Sequence, residues 1–282
     1  MKMKARLKGK SVLPDVRKPV VSGMFYYLDP KHLDAQLNDL FAGVKARDRC
    51  SIVISPHAGY VYSGRTAAYA ISSLRPSKNF IILGPNHSGL GKEFSVMSSG
   101  SWDTPLGRCV VDSVTAKKLT GSGLVAEDAS AHAREHSIEV QLPLLQHKFS
   151  DFSFTPLCIM NSSYSPDFLE KCSELGKFIA GLMKTGKASL VASSDFSHYL
   201  PQKVADLKDG AAVEQILKLD VESLFSTLGE TDASVCGFGP IAVAMAAAKE
   251  LGLKGKLINK SSSGDITKDY SSVVSYYAIG FC

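Results

Sequence analysis

Three histidines in this chain share one setting, from which an imidazole can bind a metal or move a proton. Each follows an apolar, β-branched run that ends in small residues. Residues 51–55 lead into Pro56-His57-Ala58-Gly59, residues 80–84 into Pro85-Asn86-His87-Ser88-Gly89, and residues 190–194 into Asp195-Phe196-Ser197-His198. Short continuous apolar runs of this type read as strands buried on both faces. In an open α/β sheet, ligands bind beyond the carboxyl ends of the strands. Three imidazoles delivered to one rim therefore point to a metal or acid–base site.

Small neighbours let an ion or substrate come close to His57, and glycine follows His87 as in a backbone-determined loop. Either histidine alone reads equally well as a loop residue bonded to backbone. Two in the same setting, with one anionic ligand, make a common divalent-metal set. Asp195 and His198 stand three apart, so one helical turn puts them on one face. There the carboxylate can orient the imidazole and raise its basicity, which assigns the pair acid–base work, with Asp195 as an alternative ligand or a cap of the turn. Cys236 lies in Val235-Cys236-Gly237-Phe238-Gly239-Pro240, just before a helix start. The partial positive charge of that start favours thiolate, which ligates copper, zinc or iron and is also a nucleophile. A further cluster, Glu135-His136-Ser137-Ile138-Glu139, puts His136 and Glu139 on one face as pocket residues, together with Asn86. His132, four before His136, offers a helical metal pair that no HExxH pattern supports. Residues 102–107 read as a hairpin turn and a wall of the pocket.

The elements that must hold these residues follow a β–α–β rhythm, which implies parallel strands and right-handed crossovers. Apolar spacing marks a helix over residues 33–44. Ser63 reads as the cap of a helix running to about Leu74. Ser165-Pro166-Asp167 is a strong helix start, with Gly186 at its end. Gly239-Pro240 opens an alanine-rich helix suited to close packing on a sheet. Residues 271–281 alternate and are rich in Val and Tyr, as a late antiparallel strand would be. Residues 121–133 are the most loop-like and read as a mobile cover. Pro143 implies a kink or a late helix start.

The totals set bounds. A chain of 282 residues with 45% apolar content can bury a sizeable core. The expected division is an extension over residues 1–16 and one domain over 17–282. Net charge is only +5, from 32 basic and 27 acidic residues. The densest basic stretch, residues 2–17, reads as a solvated tail. There is neither a dense basic patch nor a stacking motif for nucleic acid. No apolar run reaches the ~20 residues of a membrane helix, and the start lacks a secretory signal, which gives a cytoplasmic expectation. The six cysteines form no CxxC pair, and they read as buried free thiols in a reducing compartment, with Cys50, Cys158 and Cys172 among core-like neighbours.

Taken in order, these motifs resemble the Memo family. The blocks are Pro56-His57-Ala58-Gly59-Tyr60, Leu83-Gly84-Pro85-Asn86-His87, Thr104-Pro105-Leu106, Glu135-His136-Ser137-Ile138-Glu139 with Leu142-Pro143, Ser193-Ser194-Asp195-Phe196-Ser197-His198, and Cys236-Gly237 with Pro240-Ile241. Residues 269–276 resemble the family's last strand. The resemblance implies a single α/β domain with a central, mostly parallel sheet and helices on both faces, similar to class III extradiol non-haem iron dioxygenases. It implies metal ligands at His57, His87 and Cys236, with Asp195 and His198 lining the same pocket. It further implies one copper or iron ion and no organic cofactor, redox chemistry on a small molecule with O2, and, in animals, binding of receptor-derived phosphopeptides. Extradiol sites of this class use two histidines and a carboxylate. A thiolate in the third place is softer, shifts preference toward copper(I) or zinc, and makes catechol cleavage the less expected reaction. A zinc hydrolase on the same ligands and a binding protein with a vestigial site are the alternatives.

Overall fold

In a computed structural model, residues 16–45, 48–161, 163–186 and 188–282 are described; the basic stretch expected as a tail lies outside them up to Asp15. The described chain begins with β1 (Val16–Arg17), α1 (Pro30–Phe41), β2 (Ile52–Ser55), α2 (Tyr60–Ser73) and β3 (Asn79–Pro85). It continues through β4 (Phe94–Val96), β5 (Ser101–Thr104), β6 (Gly107–Val111), α3 (Ser113–Gly121), β7 (Ala126–Glu127), a 3-10 turn at Ala129–His132, α4 (Gln141–Lys148) and β8 (Ser153–Ile159). Then follow α5 (Pro166–Gly186), β9 (Ser189–Ser193), β10 (His198–Leu200), α6 (Gln202–Lys218), α7 (Val221–Thr231), α8 (Phe238–Glu250), β11 (Gly255–Ser262), α9 (Gly264–Thr267) and β12 (Val273–Phe281). Among the described residues no helix is long and apolar enough to cross a membrane.

The strands join in one mixed sheet whose centre, β6-β8-β3-β9-β2, is parallel. β12 continues it antiparallel to β2, and β10 and β11 pair with β12 in the same sense. Alternation along each strand feeds two cores. Ile52, Ile54, Leu190 and Ala192 face the core under α5, α7 and α8, while Val53 and Val191 face the one that includes Leu33, Leu37 and Leu142. This is why the runs look continuously apolar in the sequence: both faces are covered. The result is a single-domain α/β fold. Because β9 lies between β2 and β3, the carboxyl ends that lead to His57, His87 and Asp195 are neighbours in space.

Local starts explain where expected bounds shift. α1 starts at Pro30 because Asp29 caps it, accepting from the backbone N–H of Lys31 and His32. α2 starts at Tyr60, so Ser63 sits in its first turn and bonds the Ala58 carbonyl at 2.9 Å instead of capping. α4 is the late start that Pro143 implies. The alanines of α8 do pack closely, and on α5 as well as the sheet. A Cβ on Gly176 would lie 2.6 Å from both the Ala246 Cβ and the Val243 carbonyl oxygen.

Three expectations are corrected. Residues 121–133 are not a cover: they supply β7 and the 3-10 turn, and Val125, Ala131 and His132 are buried. Trp102 is no pocket wall. It is buried, with the Arg17 guanidinium 4.0 Å above its ring, and Arg17 itself is a buried anchor of β1 and not tail. Cys50 is not a free thiol, because it forms a disulfide with Cys282. Cys158 and Cys172 are free and buried as expected, but the argument for a reducing compartment loses its basis.

The disulfide ties the start of β2 to the end of β12 across a sequence separation of 232. Closing so long a loop in the unfolded chain stabilises the fold by about 5 kcal/mol on the chain-entropy account. Reductant, or Cys282→Ser, is therefore expected to lower the urea midpoint strongly. A midpoint unchanged by reductant would show that the bond contributes nothing.

Candidate metal centre

His57 is 2% exposed and fixed on three sides. Its backbone N–H donates to Asp195 Oδ1 at 2.9 Å, and its Nδ1 lies 2.9 Å from Ser193 Oγ. Ser193 Oγ has one proton, which it donates to the Ser137 carbonyl at 2.8 Å, and it accepts from Gln141 Nε2 at 3.0 Å. The His57 contact must then be Nδ1–H donating to Ser193. That leaves the Nε2 lone pair free, 3.4 Å from Cys236 Sγ. Burial, helped by the neighbouring His87 and His136, holds His57 well below its ordinary range, so it is neutral and ready to ligate.

His87 is oriented the same way by a different group. Its Nδ1 lies 3.0 Å from Glu135 Oε1, and its backbone N–H donates to Glu135 Oε2 at 2.6 Å. Glu135 is fully buried and also accepts from the backbone N–H of His136 and Ser137. Burial opposes the charge on both partners, but their hydrogen bond and mutual attraction win, raising His87 and lowering Glu135. A carboxylate on the far nitrogen of a ligating histidine fixes its tautomer and strengthens it as a donor. Glu135→Gln should therefore weaken metal binding about 10–100-fold. Titration calorimetry checks this, and an unchanged affinity would remove Glu135 from the site.

Cys236 reaches the pair because Gly237 lets the start of α8 sit on the end of β9. A Cβ at Gly237 would overlap the Ser193 carbonyl and the Ser194 side chain. The Cys236 sulfur accepts from the Asp195 N–H at 3.1 Å. The expected lowering of its pKa does not occur. Burial first, then the Asp195 charge, push the thiol up, which outweighs the helix start one residue beyond. A cation would have to displace that proton.

His57, His87 and Cys236 each offer one ligand atom, all within 4.8 Å of one another. Two imidazole nitrogens and a thiol fit a divalent or cuprous ion chemically, which would displace the thiol proton and any proton that Glu135 stabilises on His87. His87, 37% exposed, leaves the set open to solvent on one side. His136, expected as a pocket residue, lies against both histidines of this group. Its ring stacks on His87 with centroids 4.9 Å apart and meets His57 edge-on at 5.5 Å. His87, Glu135 and His136 form a second cluster of possible ligands.

Asp195 is buried beside the set, its Oδ2 3.9 Å from His57 Nε2, and burial lifts its carboxyl to about 6. His198 opens β10. It donates its backbone N–H to Ser234 Oγ and has Nδ1 3.0 Å from the Ser234 carbonyl. Asp195 thus lies beside the set, and an extended segment, not the helical turn their spacing suggests, leads from it to His198 at the start of β10. Ser197 within that segment is held by Asp209 of α6, whose Oδ1 accepts from its N–H and hydroxyl.

Two expected pocket residues have other partners. Asn86 Oδ1 accepts from the Ser88 N–H and hydroxyl and the Gly89 N–H, and Nδ2 donates to the Leu90 carbonyl, so Asn86 shapes its own loop. Glu139 is fully buried away from the set. It pairs with Arg17 at 2.7 Å and accepts from the Val20 and Val21 N–H groups and the Tyr26 hydroxyl. His132 lies in the 3-10 turn next to Trp102, apart from His136. Sequence reasoning passed over Glu135, Gln141 and Ser193 as chemical residues. Their places inside the motif blocks were the only signal.

A family model described as Memo-like protein matches residues 17–280. MEMO1 family proteins of Methanosarcina barkeri and Nitrosopumilus maritimus are each 43% identical to this chain, with 94% of it and 99% of each relative covered. One from Aquifex aeolicus is 36% identical over the same shares. Among solved structures, an uncharacterized protein of Escherichia coli K12 is similar in fold, at a TM-score of 0.52 and 15% identity over 81% of this chain and 98% of its own. With the motif blocks gathered around one set of ligands and the match spanning nearly all of its length, the chain belongs to the Memo-like family.

Proposed function

We propose that this chain is a metal-dependent oxidoreductase that holds one copper or iron ion on His57, His87 and Cys236 and acts on a small molecule, with O2 as a candidate co-substrate. One observation carries the reading: two imidazoles, each engaged at Nδ1, and one thiol offer ligand atoms within 4.8 Å of one another, beyond the carboxyl ends of β2 and β3 and at the start of α8. When bound, such an ion supplies an electron-transfer centre with an open coordination position. The protein's part is positioning and proton control. Ser193 and Glu135 hold the two imidazoles in the ligating tautomer. In this reading Asp195, whose carboxyl burial lifts to about 6, and His198 accept or deliver protons at the substrate.

Elemental analysis and EPR on protein purified without a histidine tag test this. One copper or iron per chain with a paramagnetic signal is the expected result. Three protein ligands with an open fourth position is also the pattern of catalytic zinc, so stoichiometric zinc alone would select a hydrolase. Absence of any stoichiometric ion would reject both readings and leave a ligand-binding protein.

A further inference from the structure

Tyr276 carries a hydroxyl that no part of the site so far explains. The residue is only 1% exposed, and among the described residues its hydroxyl makes no hydrogen bond, yet it is not one of the sealed, unpartnered polar atoms of the interior. The ring is packed while the hydroxyl keeps an opening in which a donor of this kind usually finds a partner. The position of Tyr276 shows what that opening adjoins. The neighbouring Ser275 is stitched to the segment between Asp195 and His198, donating its N–H to the Ser197 carbonyl at 3.0 Å and accepting from the Phe196 N–H at 2.9 Å. Tyr277 turns the other way and packs its ring on Phe196, centroids 4.5 Å apart. Alternation along β12 then puts Tyr276 on the face of Ala278, which packs in the core of Val53 and Val191. Those two residues belong to β2 and β9, the strands that lead to His57 and Asp195. Continuing the register in which Ile279 faces Ile54 brings Tyr276 level with His57. Burial keeps the hydroxyl protonated, so toward a carbonyl oxygen it is the donor.

Tyr199 is an independent oddity at the same place. The β10–β12 pairing runs His198 to Val274 and Leu200 to Val273, so Tyr199 is bulged out between them. Its φ is +59°, in the left-handed region, and its side chain is 78% exposed. A non-glycine residue held there is strained, and such strain gathers where a site requires it. Bulges beside active sites re-aim a side chain. Here the bulge carries a large aromatic residue directly after His198, its ring centroid 6.1 Å from that of the imidazole.

We infer that Tyr276 and Tyr199 form the organic-ligand subsite of this centre: the Tyr276 hydroxyl donates to a carbonyl-type oxygen of a small planar molecule, and the Tyr199 ring covers that molecule from the solvent side. The ligand class is thus a small planar molecule that offers a carbonyl-type oxygen. The inference rests on the metal reading given above.

The test uses the full chain loaded with cobalt(II), whose d–d spectrum reports its ligands, and acetohydroxamic acid, which releases a proton and chelates as the hydroxamate with its carbonyl oxygen, as the probe. Tyr276→Phe keeps the ring and its packing. The expected result is unchanged cobalt stoichiometry and spectrum before the probe is added, with the probe bound about tenfold more weakly, the size of one hydrogen bond. Tyr199→Ala should also weaken the probe, and Tyr199→Phe should restore it, since the ring alone does the covering. Tyr277→Phe, on the opposite face, should leave probe binding unchanged. Cobalt uptake with equal probe affinity in wild type and Tyr276→Phe, or with no probe binding to wild type, overturns the subsite and leaves the metal reading standing. No cobalt uptake by the wild type overturns the metal reading and this inference together.

Discussion

Cys236→Ser is expected to abolish tight binding of a thiophilic ion. The loss should exceed the ~10–100-fold that removing a supporting partner costs, because a first ligand goes. Serine is nearly isosteric, but its hydroxyl is a poor soft-metal ligand, and the Asp195 N–H that now meets the sulfur would meet an oxygen instead. Thermal unfolding gives the clearest readout. An ion at 100 times its dissociation constant stabilises the wild type by ~2.7 kcal/mol, which is roughly 5–10 °C in melting temperature for a chain near this size. The variant should melt at the same temperature with and without copper or zinc. If the variant still gains the wild-type shift, the sulfur is not a ligand, and the cluster of His87, Glu135 and His136 becomes the place to look.

Glu139→Ala should destabilise the fold by about 3–5 kcal/mol, the usual effect of stranding one partner of a buried ion pair. Arg17 is 7% exposed and its other bonds go to backbone carbonyls of Lys18, His132 and Glu135, so no second carboxylate takes over. The same change strands the Val20 and Val21 N–H groups and the Tyr26 hydroxyl. Urea unfolding measures the loss. Replacing Arg17 and Glu139 together with apolar residues should recover part of it but not all, because those three donors remain unpartnered. Metal content should stay at the wild-type level throughout. A variant of near wild-type stability that fails to act on a substrate would instead return Glu139 to the pocket as a base.

How much of this could be read from the sequence is best judged at single residues. His57 and His87 were legible because a continuous apolar run fixes a doubly covered parallel strand, and such strands present their ends to one rim. Cys236 was legible as a candidate ligand, but the direction of its proton affinity was not. The helix-start argument is local, whereas burial among Asp195, His57 and Ser194 depends on what the fold brings around it. Glu139 shows the same limit more sharply. Its spacing from His136 promised a shared face, but α4 starts only at Gln141, and the carboxylate is claimed by Arg17, 122 residues away in sequence. The Cys50–Cys282 bond joins positions too far apart for any spacing rule to pair.

The sequence by itself determined the strands, the histidine-bearing turns after them, the small residues that admit close approach and hence the α/β class, because these follow from local propensity and periodicity. Only the tertiary structure decided which nitrogen of each histidine is engaged, which carboxylate supports the site and which anchors the first strand, and that the Tyr276 hydroxyl makes no hydrogen bond among the described residues. Those outcomes depend on hydrogen bonds and desolvation between residues tens to hundreds of positions apart. Burial and partner geometry at that range exist only once the chain has folded.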